Sequence, residues 1–219
     1  MEMKISSVII AALCLLGIPL NVVAGQIMQR PAVEYSGSIV STANGEKREG
    51  RVYITPLKQR IEAKTSEVLT VGIKRLDKKL AWMLLPANKT YADVDFYILQ
   101  MGALDLYTCD TKLEVLGSES INGVPATESA IQSSCPNESG FKGKVWLTKD
   151  GIVMRTDGVA STPEGQGQYE FELNNLQIGI QKPALFEVPA DYKKVDMVEM
   201  LQSMLAIIML SEKNGKPGK

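Results

Sequence analysis

The run Leu80-Ala81-Trp82-Met83-Leu84-Leu85 is apolar at every position and stands between two turn sequences, Asp77 to Lys79 and Pro86 to Lys89. Residues 69–95 therefore read as three short strands joined by tight turns. Side chains alternate between the faces of a strand, so Leu80, Trp82 and Leu84 point one way and Ala81, Met83 and Leu85 the other. A strand that is apolar on both faces needs one layer above it and another below. The candidate for the second layer is the last apolar segment of the chain, Met197 to Leu210.

Strand signals dominate on either side. Asn44-Gly45 is a two-residue hairpin signal between 34–41 and 46–55, with Val52 and Ile54 on one face. Lys58, Arg60, Glu62 and Lys64 alternate with Gln59, Ile61 and Ala63, the pattern of a strand with one solvated face. Asn122-Gly123 turns the chain within 112–132, where Pro125 must sit at a strand edge or entry because it has no donor for a ladder. Lys149-Asp150-Gly151 joins 142–148 to 152–160, and Gly165-Gln166-Gly167 reads as a turn before 166–180, where Tyr169, Phe171 and Leu173 oppose Gln168, Glu170 and Glu172. Residues 183–189 close the sheet region. Two segments change to a helical period: 93–107, and 196–212, which opens on Asp196-Met197-Val198-Glu199, an aspartate form of the capping box. The expected fold is mainly β, a large curved antiparallel sheet covered by one or two helices, including the apolar C-terminal one.

The first 24 residues combine Lys4, an apolar run from Ile5 to Leu20, the breakers Pro19 and Asn21, and the cleavage-site pattern Val22-Val23-Ala24. They read as a signal peptide cut after Ala24, which places the mature chain in the periplasm or outside the cell. Cys14 falls within this leader. Cys109 and Cys135 remain, and in an exported protein the pair is expected as a disulfide closing a loop of about 25 residues. The domain reading is thus signal peptide 1–24, sheet domain 25–195, covering helix 196–212 and tail 213–219.

The chain has no histidine, so the usual general base, zinc ligand and triad member are missing. Asp93/Asp95 and Glu170/Glu172 are the nearest thing to catalytic carboxylate pairs, and they read as solvating groups. No enzyme, metal or cofactor is expected. Net charge is -1 with the basic residues spread out, so no nucleic-acid partner is expected either.

Ile73-x-Arg75-x-Asp77, Trp82-x-Leu84-x-Pro86-x-x-Lys89-x-Tyr91, Gly117-x-Glu119-x-x-Asn122-Gly123 and Phe186-x-x-Pro189 before Tyr192 together resemble an uncharacterised family of bacterial exported proteins related to the lipoprotein carriers LolA and LolB. The resemblance spans roughly 35–195. It implies an unclosed β half-barrel whose concave side is plugged by helices and holds acyl chains, and it supplies no catalytic residue.

A sheet faced by a separate apolar helix can enclose an apolar cavity. The expected ligand is a lipid or the acyl chains of a lipoprotein. The expected lining is Trp82, Leu84, Tyr91, Trp146, Tyr169 and Phe171 from the sheet, with Met200, Met204 and Ile208 from the helix. The alternative is an envelope interaction or sensing module with no lipid cargo. A monomer in transient contact with envelope membrane proteins suits either reading.

Overall fold

The computed structural model describes residues 28–65, 68–95, 106–135 and 138–214. The leader expected at 1–24, and residues 96–105 of the helix expected over 93–107, lie outside them. At the margins of that expected helix, Asp93 belongs to a strand and Tyr107 to a 3-10 turn, Leu106–Thr108.

Two antiparallel meanders build one sheet. The first is β1 (Tyr35–Ala43), β2 (Glu46–Thr55), β3 (Lys58–Thr65), β4 (Val68–Arg75), β5 (Leu80–Leu85) and β6 (Thr90–Asp93). The second is β7 (Asp110–Ile121), β8 (Val124–Ser134), β9 (Gly140–Leu147), β10 (Val153–Thr162) and β11 (Gly165–Ile178). They join where β1 pairs with β11, and the two-residue β12 (Lys193–Lys194) adds to β6 in parallel, giving the order β12-β6-β5-β4-β3-β2-β1-β11-β10-β9-β8-β7. The sheet does not close on itself; β12 and β7 are its edges.

Local chemistry explains the turns. Asn44 and Gly45, and again Asn122 and Gly123, take positive φ at both central positions, which matches the twist of the strands they join. Pro125 is the second residue of β8, where its missing donor does least harm. Gly165-Gln166-Gly167 is not the turn read from the sequence: β11 already begins at Gly165, and Pro163-Glu164 makes the turn. Register shifts at Ser36/Ser38, Val115/Gly117 and Val153/Arg155 insert bulges, which increase local twist and help curl the sheet. Gly143 and Gly158 face each other across β9 and β10, and a Cβ at either would stand within 2.3 Å of a backbone oxygen.

Register assigns the faces. Tyr35 and Ile39 of β1 share the concave face with Val52 and Ile54 of β2, Ile61 and Ala63 of β3, Met83 and Leu85 of β5, and Tyr169, Phe171 and Leu173 of β11. Tyr53, Arg60, Ile73, Trp82 and Leu84 lie on the convex face.

Both layers demanded by β5 are present. On the concave side, helix α1 (Met197–Asn214) lays Met200, with Met197, Met204, Ile207 and Ile208, against Val68, Met83, Leu85 and Ala92. Asp196 Oδ1 accepts the Glu199 amide at 2.8 Å, so the capping aspartate works as its position suggests, and the helix runs two residues past 212. On the convex side the cover is a 3-10 turn, Pro183–Phe186, whose Phe186 packs on Val71, Ile73 and Leu84, flanked by Leu185, Val188 and Tyr192. Burying a phenylalanine side chain of this kind is worth about 1.5–3 kcal/mol.

A buried arginine latches that turn. Arg75 is 4% exposed. Its Nε and Nη2 donate to the two Asp77 carboxylate oxygens at 2.8 and 2.7 Å, and Nη1 donates to the Glu187 carboxylate and to the Phe186 carbonyl. Arg60 adds a bond from Nη1 to the Leu185 carbonyl at 3.1 Å, so the charged face of β3 is partly covered and not simply solvated.

Candidate functional site

The concave face is covered at its two ends. At the β6 end stands α1. At the β9 end stands the 3-10 turn Leu106–Thr108, where Leu106 packs with Met28, Ile131, Phe141 and Val145. The Cys109–Cys135 disulfide ties this turn to the end of β8, and Tyr107 Oη donates to the Gly151 carbonyl at 2.9 Å.

Between the two covers runs a groove. Val52, Ile54 and Ile61 form one wall, and Tyr169, Phe171 and Leu173 the other. Tyr35 on β1 lies between the walls and Thr156 on β10 beyond the second, with Leu106, Tyr107, Arg30 and Pro31 also lining the space. The space is about 860 Å³ when its open mouth is counted, but only about 80 Å³ is available to water-sized occupants within the walls. The smaller figure measures what the closed part can hold. It is several waters' worth, and less than an engineered cavity that takes up benzene, so a bulky ligand must lie partly in the mouth or spread the walls.

Two polar features stand out among these lining residues. Arg30 is their only charged side chain, held with its guanidinium 5.3 Å from the centre of the Tyr107 ring. Thr156, 3% exposed and set between Val145 and Phe171 on the concave face, has a buried hydroxyl with no hydrogen-bond partner. Leaving such a group unsatisfied costs about 1–3 kcal/mol.

The nine lining candidates read from the sequence fall in four places. Tyr169 and Phe171 line the groove. Trp82, Leu84 and Tyr91 pack on the convex face around Phe186. Met200, Met204 and Ile208 sit beneath α1 at the far end of the concave face. Trp146 shares a hydrophobic cluster with Phe171 but follows Val145 in β9 and so points to the other face, where the Arg155 guanidinium lies 5.5 Å from its ring centre. Helix and aromatic strand residues are thus not two walls of one cavity. The groove recruits instead Val52, Ile54 and Ile61, legible as apolar faces of their strands, and Arg30 and Thr156, which carry no signal in the sequence.

One member of each carboxylate pair is engaged elsewhere. Glu172, on the convex face, accepts from Arg155 at 2.7 Å and from Asn122 at 3.1 Å. Burial pushes its carboxyl pKa up, but these bonds outweigh burial and hold it below the ordinary value. Asp93 pairs with Lys194. Among the described residues no group of three or more His, Cys, Asp or Glu could hold a metal.

The outer side of α1 is apolar too: Val198, Leu201, Leu205, Met209 and Leu210 are all exposed. Among the described residues no helix is long and apolar enough to cross a membrane.

No protein-family profile and no curated protein sequence matches the chain. Solved structures do. An uncharacterised conserved protein from Thermus thermophilus superposes with a TM-score of 0.52 at 14% identity, over 78% of this chain and 94% of that one. MucB gives a TM-score of 0.48 at 14% identity, over 75% of this chain and 60% of its own. A domain from Vibrio parahaemolyticus described as that of an outer-membrane lipoprotein-sorting protein gives 0.36 at 8% identity, over 72% and 91%. The first of these likenesses shows a shared fold.

Proposed function

We propose that this chain is an exported envelope protein that holds an acyl chain, of a lipid or of an acylated protein, in the groove on the concave face of its sheet, and that it performs no reaction on it. One observation carries the reading: among the described residues the concave face is packed at both ends and open in the middle, where the walls are apolar. A monomeric protein that had only to bury that surface would fill it; an open apolar cleft with few polar groups suits a ligand. The Cys109–Cys135 disulfide supports an oxidising compartment, in keeping with a leader at 1–24.

Lipid extraction with native mass spectrometry tests this directly. Protein recovered from a periplasm is expected to carry a stoichiometric lipid, or to take one up on challenge, and its N-terminus is expected at Gly25. A protein that stays free of lipid on challenge would overturn the reading and turn attention to the second one, a protein-interaction module, which draws on the exposed apolar side of α1.

A further inference from the structure

The two ends of the sheet's strands differ in what their turns expose. We propose that one end, the rim formed by the 56–57 turn, the 76–80 segment and the 178–182 segment, docks on an anionic lipid bilayer, with its apolar tips entering the interfacial layer and its lysines meeting lipid phosphates. The inference goes beyond the groove and holds whether or not the groove takes a chain.

Register brings these segments to one end. Leu80, Arg75, Lys58 and Thr55 form a row across β5, β4, β3 and β2, and Ile54, Tyr35 and Ile178 continue it across β2, β1 and β11. At about 4.8 Å per strand the rim from Leu80 to Ile178 is about 24 Å long. Its tips are held by the fold: the Leu76 amide donates to the Leu57 carbonyl at 2.9 Å, and the Gly179 amide to the Glu34 carbonyl at 2.9 Å. Four large apolar side chains are exposed along it, Leu57, Leu80, Ile178 and Ile180, the last at 94%. One exposed leucine needs no explanation, but four on one rim make the kind of patch that marks an interaction surface. At the opposite end the described turns Asn44-Gly45, Pro86 to Lys89 and Pro163-Glu164 carry no large apolar residue. Charge identifies the occupant. Lys78, Lys79 and Lys182 are exposed on the same rim. The carboxylates there are engaged: Asp77 and Glu187 hold Arg75, Glu187 also lies 3.8 Å from Lys78, Glu34 accepts the Gln181 amide at 2.6 Å, and Asp95 past the end of β6 has interactions of its own. Apolar tips bordered by lysines match a layer of phosphates over acyl chains. A protein partner would call for aromatic and arginine anchors, and the exposed part of this rim is aliphatic and lysine, the cation that protein interfaces disfavour.

Vesicle flotation tests the proposal. Full-length protein recovered from a periplasm is floated with vesicles of equal parts phosphatidylglycerol and phosphatidylcholine, and separately with vesicles of phosphatidylcholine alone. Binding to the anionic vesicles is expected to be roughly tenfold the tighter or more, and to fall as salt is raised and the charges are screened. Lys79→Gln/Lys182→Gln should bring it down toward the phosphatidylcholine level. Leu57→Ser/Ile180→Ser should weaken it roughly tenfold at low and high salt alike, and both double variants should melt close to the parent, because these side chains stand largely in solvent. Leu205→Ser, on the outer side of α1, should bind as the parent does. Equal binding to the two vesicles, or rim variants that bind as the parent, would overturn the inference, and loss of binding in Leu205→Ser alone would overturn it in favour of α1. Binding to neither vesicle would overturn it and leave the rim to a protein partner. Acyl uptake by the groove is read separately, by mass spectrometry of the protein, so either reading can fail while the other stands.

Discussion

Beneath α1 the concave face is packed: Met200 and Leu85 are fully withdrawn from solvent, and the methionines and isoleucines of the helix meet aliphatic side chains of β4, β5 and β6. Along β3, β2, β1, β11 and β10 the same face presents Ile61, Val52, Ile54, Tyr35, Phe171 and Tyr169 to a groove, with a buried hydroxyl that bonds to nothing. Both regions are apolar and both belong to one sheet. They differ in what covers them among the described residues: an 18-residue helix on the first, and on the second the turn at 106–108 and the 28–31 segment at its rim. Apolar composition alone therefore does not mark a binding site. What supports the proposed site is an apolar face together with a cover that the described residues leave incomplete.

That contrast breaks most visibly where packing is tightest. Phe186→Ala and Met200→Ala each empty a fully buried site and should cost about 2–5 kcal/mol, read as lower midpoints in denaturant titrations. Met200→Ala should do so without changing lipid affinity at temperatures where the protein stays folded, because its side chain lies away from the groove. Next in size is the Cys109→Ala/Cys135→Ala double variant. Losing the crosslink should cost about 2–4 kcal/mol and, unlike the helix variant, also speed lipid release, since the disulfide fixes the groove's roof.

The opposite sign is expected at Thr156. Thr156→Val should stabilise the ligand-free protein by about 1 kcal/mol, or roughly 2–4 °C in thermal melts, because it deletes an unsatisfied hydroxyl. A smaller effect should follow pH. Arg75 beside Asp77 holds its carboxyl at about 2, below its ordinary 3.8. The folded state therefore favours the ionised form, so this contribution is complete above pH 4 and is lost as pH falls through 2. Melts between pH 5 and 2 should show a decline that Asp77→Asn makes shallower. The smallest change is expected at the exposed Leu205, where Leu205→Ser should move stability by no more than about 0.5 kcal/mol.

Much of the scaffold is legible in the sequence because short-range chemistry dictates it. Asn-Gly pairs set hairpins, alternation at 166–173 sets the faces of β11, and Asp196 caps α1. The two-sided apolar pattern of β5 correctly requires two layers. Which face each layer takes is a long-range matter, decided by the crossing of 183–192 over the convex side and by the Arg75 latch that joins two motifs 112 residues apart. The residues of the family-like motifs, Arg75, Asp77, Phe186, Lys89 and Tyr192, turn out to fasten that crossing: Lys89 pairs with Asp191 at 2.8 Å beside Tyr192. The groove is harder to read, because its walls come from strands distant in sequence that become neighbours only through the β1–β11 seam. Arg30 follows a featureless stretch, and Thr156 looks like any strand threonine.

The most direct test of where the ligand lies is photo-crosslinking with a hexadecanoate analogue bearing a diazirine near the chain's end, followed by peptide mapping. The account predicts adducts on groove residues such as Tyr35, Ile54, Tyr107 and Phe171, and none on Met200 or Met204. Adducts concentrated on the methionines of α1 would contradict it and show that the helix itself opens to receive the chain.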